Sequence, residues 1–303
     1  MVGWKFIEPD GTIRVGKNAR EAFDWLQQAG EPFFDWLSWL LEGLIAGILT
    51  VLQVPLHVPG TLEDGSRGWV PAYPEALHPV LITALFVALT WVLQRNWKTA
   101  LLVVMGFLFI LNQGYWEETT ESLTLVLSAA VVCMGLGVPA GIAAAHRPRL
   151  YAWMRPVLDL MQTLPTFVYL IPAIVFFGIG MVPGLIATVV FVLPAPIRLT
   201  HLGISSTPLA LKEAAQSFGA TPRQLLWKVE LPQALPQIMT GLNQTIMLSL
   251  SMVVIAALVG ADGLGVPVVR ALNTVNTALG FESGFVIVVV AIMLDRMLRV
   301  ERK

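Results

Sequence analysis

Long apolar runs separated by short polar breaks set the rhythm of this chain. A helix crossing a bilayer needs about 20 apolar residues, because the hydrocarbon core is roughly 30 Å thick and each residue advances about 1.5 Å. Runs near that length recur at 36–56, 78–94, 99–116, 122–145, 157–180, 182–201, 235–260 and 283–300. The pattern predicts an all-α polytopic membrane protein with about eight transmembrane helices. Residues 1–35 differ, being polar and charged. Ala22, Phe23, Leu26, Phe33, Phe34 and Leu37 predict an amphipathic helix approaching the membrane, opened by an Asn18–Glu21 capping box. Pro139, Pro165, Pro172, Pro183 and Pro194 fall inside runs and predict kinks. Gly137-x-x-x-Gly141 and Gly180-x-x-x-Gly184 predict close helix packing.

Composition supports the membrane reading: 13% of the residues are charged and 56% hydrophobic, whereas a soluble domain carries about 25% charge. The net charge of −1 and the lack of a basic stripe argue against a nucleic-acid partner. Cys133 is the single cysteine and lies within an apolar run, so it reads as a small buried hydrophobe. The first residues lack the charged-then-apolar pattern of a cleaved leader, and none is expected. Gly11–Asn18 nearly spells a phosphate-binding loop, but Asn18 stands where Ser or Thr would hold magnesium. It is read as coincidence.

Lys and Arg set the orientation. With both termini cytoplasmic, 17 of the 19 Lys and Arg fall on the cytoplasmic side, and only Arg67 and Arg270 lie outside. The outer segments carry Glu63, Asp64, Glu75, Glu117, Glu118, Glu121, Asp262 and Glu282, which are either docking points for a soluble protein or solvated loop charges. Trp36, Trp39, Trp69, Trp97, Trp116 and Trp153 fall near run boundaries, as an aromatic belt would.

One polar insertion, residues 206–232, stands out on the cytoplasmic side. It predicts a helix capped by Ser206 or Thr207 with Pro208 in its first turn, stopped at Gly219. A second short helix should start at Thr221–Pro222. Glu213-Ala214-Ala215, Gly219 and Val229-x-Leu231-Pro232 resemble the signature loop of ABC importer membrane subunits, with Val229 in place of Ile. The resemblance implies a type I importer permease fold and a coupling helix that docks on a separate ATPase. It assigns coupling to Glu213, Ala214, Ala215, Gly219, Leu231 and Pro232. It also implies no cofactor in this chain, with ATP and magnesium on the partner.

Polar positions inside the runs are few. Gln162, Thr163, Thr166 and Tyr169 stud the fifth, and Asn243, Gln244, Thr245, Ser249 and Ser251 the seventh. They either line a polar path or bond between helices. Asp159 follows Arg155 by four residues, which predicts an ion pair on one helix face. No buried carboxylate suggests proton or sodium coupling, so energy is expected to enter through the loop.

The runs Arg155–Pro165, Phe167–Ala173, Asn243–Ala257 and Gly260–Gly265 resemble permeases of glycine betaine/proline betaine uptake systems. The resemblance implies two permease copies, two ATPases and an extracytoplasmic binding protein in a bacterial inner membrane. It also implies a methylated amine as solute: glycine betaine, proline betaine, choline, carnitine or trimethylamine N-oxide. No part of the chain resembles the binding-protein domain fused to some relatives, so that protein is expected to be separate. Three segments follow: a cytoplasmic stretch 1–35, peripheral helices 36–94, and a core 95–303 holding the loop. The competing readings are an ion-coupled carrier of betaines and a membrane scaffold that moves no solute.

Overall fold

The computed structural model describes residues 15–55, 57–61, 67–71, 74 and 77–299. Half of the near-miss phosphate-binding loop, residues 11–14, and Glu63, Asp64 and Glu75 lie outside them. Apart from one antiparallel hairpin, β1 (His57–Thr61) and β2 (Arg67–Pro71), every regular element among the described residues is helical.

The first helix, α1, runs unbroken from Val15 to Gln53 through Pro32. The amphipathic segment and the first expected crossing are therefore one helix, and Asn18 lies inside it rather than capping it. The helices α2 (His78–Gln94) and α3 (Trp97–Gln113) occupy the second and third runs. At about 1.5 Å per residue they are near the lower limit for a crossing. Asn96 caps α3 by accepting from the Lys98 amide at 3.0 Å, and Gly114 ends it in the left-handed conformation.

The core is built from α4 (Trp116–His146), α7 (Met181–Val192), α8 (Pro194–Ser205), α11 (Leu231–Ala257) and α13 (Thr277–Leu298). Among the described residues, five helices, α1 included, are long and apolar enough to span a membrane. Met181–Ser205 counts as one of them although Pro194 divides it. The fifth expected span is not a single helix. It breaks between α5 (Pro148–Thr163) and α6 (Thr166–Phe177), whose axes differ by 97°. Pro165 explains the break, since it cannot donate a hydrogen bond and biases Leu164 toward the extended conformation observed there (ψ 139°).

Helix α8 is the central post. Methyl groups added at Gly137 and Gly141 of α4 would stand 2.8 Å from Pro196 Cγ and 2.6 Å from Thr200 Cβ, so only glycine lets these helices approach. On another side, Gly203 of α8 meets Ala234 of α11 equally closely. Elsewhere, Phe34 of α1 stacks on Phe176 of α6 with centroids 4.5 Å apart. Cys133 is fully buried and unpaired, its thiol directed at the Val189 carbonyl, as expected of a small core residue.

Candidate functional site: the loop between α8 and α11

The polar insertion folds as α9 (Leu209–Ser217), α10 (Pro222–Leu225) and a single π-helical turn, Leu226–Glu230, that runs into α11. Pro208 occupies the cap position itself, with Ser206 and Thr207 before it, so the expected hydroxyl cap is replaced. The stop is at Gly219 (φ +80°). The Gly219 amide donates to the Gln216 carbonyl at 2.9 Å and the Ala220 amide to Ala215 at 3.0 Å, the paired closure of a left-handed helix end. Thr221 then caps α10 through a reciprocal pair with Gln224, and Pro222 takes the first helical position. Two helical pieces with a bend at Gly219 follow from these residues alone.

The outer face of α9 is unburied. Glu213 and Ala214 are exposed, Ala215 is half-buried, and Phe218 is 93% exposed at the tip, with Leu209 and Trp227 also open. A lone carboxylate among small residues, flanked by open apolar side chains, is suited to a groove with a basic lining. Leu231 turns the other way, into a small cluster with Ile204, Ala234 and Ile238, while Pro232 is exposed in the first turn of α11.

Sequence reasoning missed what fixes this loop to the bundle. Glu230 is buried, its Oε2 2.8 Å from His146 Nε2 at the end of α4 and its Oε1 3.2 Å from Lys212 Nζ on α9. A lone acid immediately before Leu231-Pro232 and a histidine closing an apolar run were the available signals. Asp159 pairs with Arg198 of α8 at 2.6 Å instead of with Arg155. The expected ion pair within one helix is thus a tie between helices.

The polar residues considered for a path separate into different environments. Gln244 and Ser251, seven residues apart, are exposed on one face of α11. Ser249 is fully buried and donates to the Thr245 carbonyl in its own helix. Asn243 donates to Asp295 at 3.1 Å, a carboxylate in the last turn of α13 that the sequence reading did not single out. The Tyr169 hydroxyl donates to the carbonyls of Met161 and Leu164, satisfying backbone groups left open by the α5–α6 break. Thr163 is exposed and donates to the Leu160 carbonyl, and Gln162 and Thr166 are half-buried beside the same break.

The opposite end of the bundle is acidic. Helix α4 spans about 45 Å at 1.5 Å per residue, which places its first turns far from the loop. Glu121 there lies within electrostatic reach of Asp262, Glu118 and Glu117, and Tyr115 within reach of Glu282 and Glu118. Burial, and then the carboxylates of Glu282 and Glu118, raise the Tyr115 hydroxyl above its ordinary pKa. Trp36, Trp39, Trp97 and Trp153 are exposed, as belt residues would be, whereas Trp116 packs against Phe107. The side chain of Trp69 lies outside the described residues.

Residues 137–298, which hold the loop and most of the core, match the model of the family described as binding-protein-dependent transport system inner membrane component. The chain is 43% identical to the glycine betaine transport system permease protein OpuAB of Bacillus subtilis, over 90% of this chain and 89% of that one. It is 44% identical to the glycine betaine/carnitine transport permease protein GbuB of Listeria monocytogenes, over 88% of this chain and 94% of that one. Its fold is like that of the inward-facing MetNI methionine ABC transporter (TM-score 0.54, 22% identity, 59% of this chain and 90% of that chain). The chain therefore belongs to the binding-protein-dependent transport system inner membrane component family, as a multi-pass inner-membrane permease subunit of a bacterial ABC importer, with ATP hydrolysis on a separate ATPase and solute supplied by a binding protein.

Proposed function

We propose that this permease carries a betaine-type or other methylated amine inward by alternating access, as a pair of copies bound to two ATPases. The observation that carries the coupling half of this reading is the open face of α9, where Glu213, Ala214 and Phe218 are left exposed by the described residues. ATP closure draws the two ATPases together, the α9 helices move with them, and the paired permeases open toward the binding protein. Hydrolysis resets them inward. ATP and magnesium stay on the ATPase.

Glycine betaine and carnitine in the names of the two relatives support the solute class. Gln244 and Ser251 are polar and exposed on one face of α11. Facing lipid they would be costly, so a second copy and the path between copies are the fitting surroundings. Gln162, Thr163 and Thr166 are candidates to line the same path near the α5–α6 break. The acids at the opposite end suit docking of the binding protein.

The test is uptake in proteoliposomes holding the permease with its ATPase and binding protein. A panel of glycine betaine, proline betaine, choline, carnitine and trimethylamine N-oxide is offered with and without ATP. Accumulation of at least one that needs both ATP and the binding protein is expected. Uptake that survives without ATP and collapses with the ion gradient would instead establish a secondary carrier.

A further inference from the structure

Of the two carboxylates in the loop, Glu213 faces out and Glu230 faces in. Side chains from α4 and α9 converge on Glu230. His146 is the last residue of α4, Lys212 lies on α9 immediately before Glu213, and Glu230 closes the π-helical turn. The Glu230 side chain is 3% exposed, with Lys212 at 23% and His146 at 44%. Each Glu230 oxygen has its own cationic or donor partner, at 2.8 Å and 3.2 Å. The second nitrogen of His146, Nδ1, lies 2.9 Å from the Ile142 carbonyl oxygen. Both ring nitrogens thus face oxygen atoms, one of a side chain and one of the backbone.

A buried carboxylate held this way resists displacement, because pulling it away from its partners leaves its charge uncompensated away from water. The π-helical turn inserts extra backbone just where the chain turns into α11, and such single-turn insertions recur at functional sites. A push on the open face of α9 at Glu213 therefore meets a continuous set of bonds. It passes from Lys212 to Glu230, and from there to His146 at the end of α4 and directly into α11. The apolar contacts of Leu231 seat the loop but lack this direct tie to α9.

We propose that Glu230 is a positioning residue of the transport cycle, a strut that locks α9 to α4 and α11 so that movement of the ATPase is passed to the membrane core. The inference rests on the reading of α9 as the ATPase-coupling element. Without the strut, α9 would still dock but would rock on the bundle, and ATP would be hydrolysed with little solute moved.

The test measures solute moved per ATP hydrolysed in proteoliposomes of the full complex, for Glu230→Gln, Lys212→Met and the double variant. Each single variant is expected to co-purify with the ATPase and to continue hydrolysis, with the ratio falling about tenfold. The double variant should be no worse than the worse single, since both break one link. Lys212→Met leaves the buried carboxylate with His146, and it carries the test if Glu230→Gln fails to fold. An unchanged ratio would overturn the proposal. So would uptake and hydrolysis falling in parallel with the yield of folded permease, the mark of an ordinary stabilising contact. A wild-type complex that takes up solute without ATP would overturn the coupling reading itself, and the strut with it. A wild type that needs ATP, with variants that match it, overturns only the strut.

Discussion

Gly141 of α4 lies so close to Thr200 of α8 that an added methyl carbon would stand 2.6 Å from the threonine Cβ and 2.7 Å from the Ile197 carbonyl oxygen. No flexible side-chain end is available to yield, so the helices themselves must separate. Gly141→Ala is expected to destabilise the permease by about 1–3 kcal/mol, the usual range for overpacking. Gly135→Ala is the control, since its added carbon meets nothing within 4 Å. Thermal unfolding midpoints of the two variants in detergent check the difference; equal midpoints would show that α4 and α8 are not held this tightly.

Tyr169→Phe removes the hydroxyl that serves the Met161 and Leu164 carbonyls at the α5–α6 break. A buried acceptor left unmade costs about 1–3 kcal/mol. The variant should melt earlier while its solute-to-ATP ratio stays that of wild type. A changed solute profile with unaltered stability would place Tyr169 in the path instead.

Gly219 adopts φ +80° with open space around it, so backbone conformation alone demands glycine. Valine there pays at least about 1–2 kcal/mol for the left-handed conformation, more for its branched side chain, and would tilt α9 away from α10. Gly219→Val is expected to cut ATP-driven uptake severely, whereas Gly219→Asn retains most of it. Initial uptake rates decide, and a Val variant with full activity would remove the bend from the account.

Glu213→Arg reverses the only charge on the open face of α9 without touching the bundle. The complex is expected to lose its ATPase or to hydrolyse without transport, seen in co-purification and uptake together. Normal ATP-driven uptake would refute the role given to Glu213.

Much of this was legible in the sequence, for a physical reason. Span positions follow from bilayer thickness, and the loop helices are dictated by Thr221, Pro222 and Gly219, whose effects are local. Gly137 and Gly141 announced close packing, though not that Pro196 and Thr200 would fill the space. What was missed depends on relative placement of distant segments. Arg198 lies closer to Asp159 in space than Arg155 does, and no spacing rule reveals that. Glu230 meets His146 across 84 residues, so its burial could not be read from its neighbours. Pro165 signalled a kink, but the right-angle turn needs Tyr169 to satisfy the opened backbone. Ser249 and Ser251 looked alike in sequence, yet one points into the core and the other out of it.

The central claim is that the open face of α9 carries the ATPase, and a photo-crosslinking residue placed at Phe218 tests it most directly. In an assembled complex active in uptake, irradiation should join the permease to the ATPase subunit, while the same probe at exposed Gln113, at the end of α3, should not. An active complex that gives no ATPase adduct from position 218, or gives it equally from 113, would contradict the account.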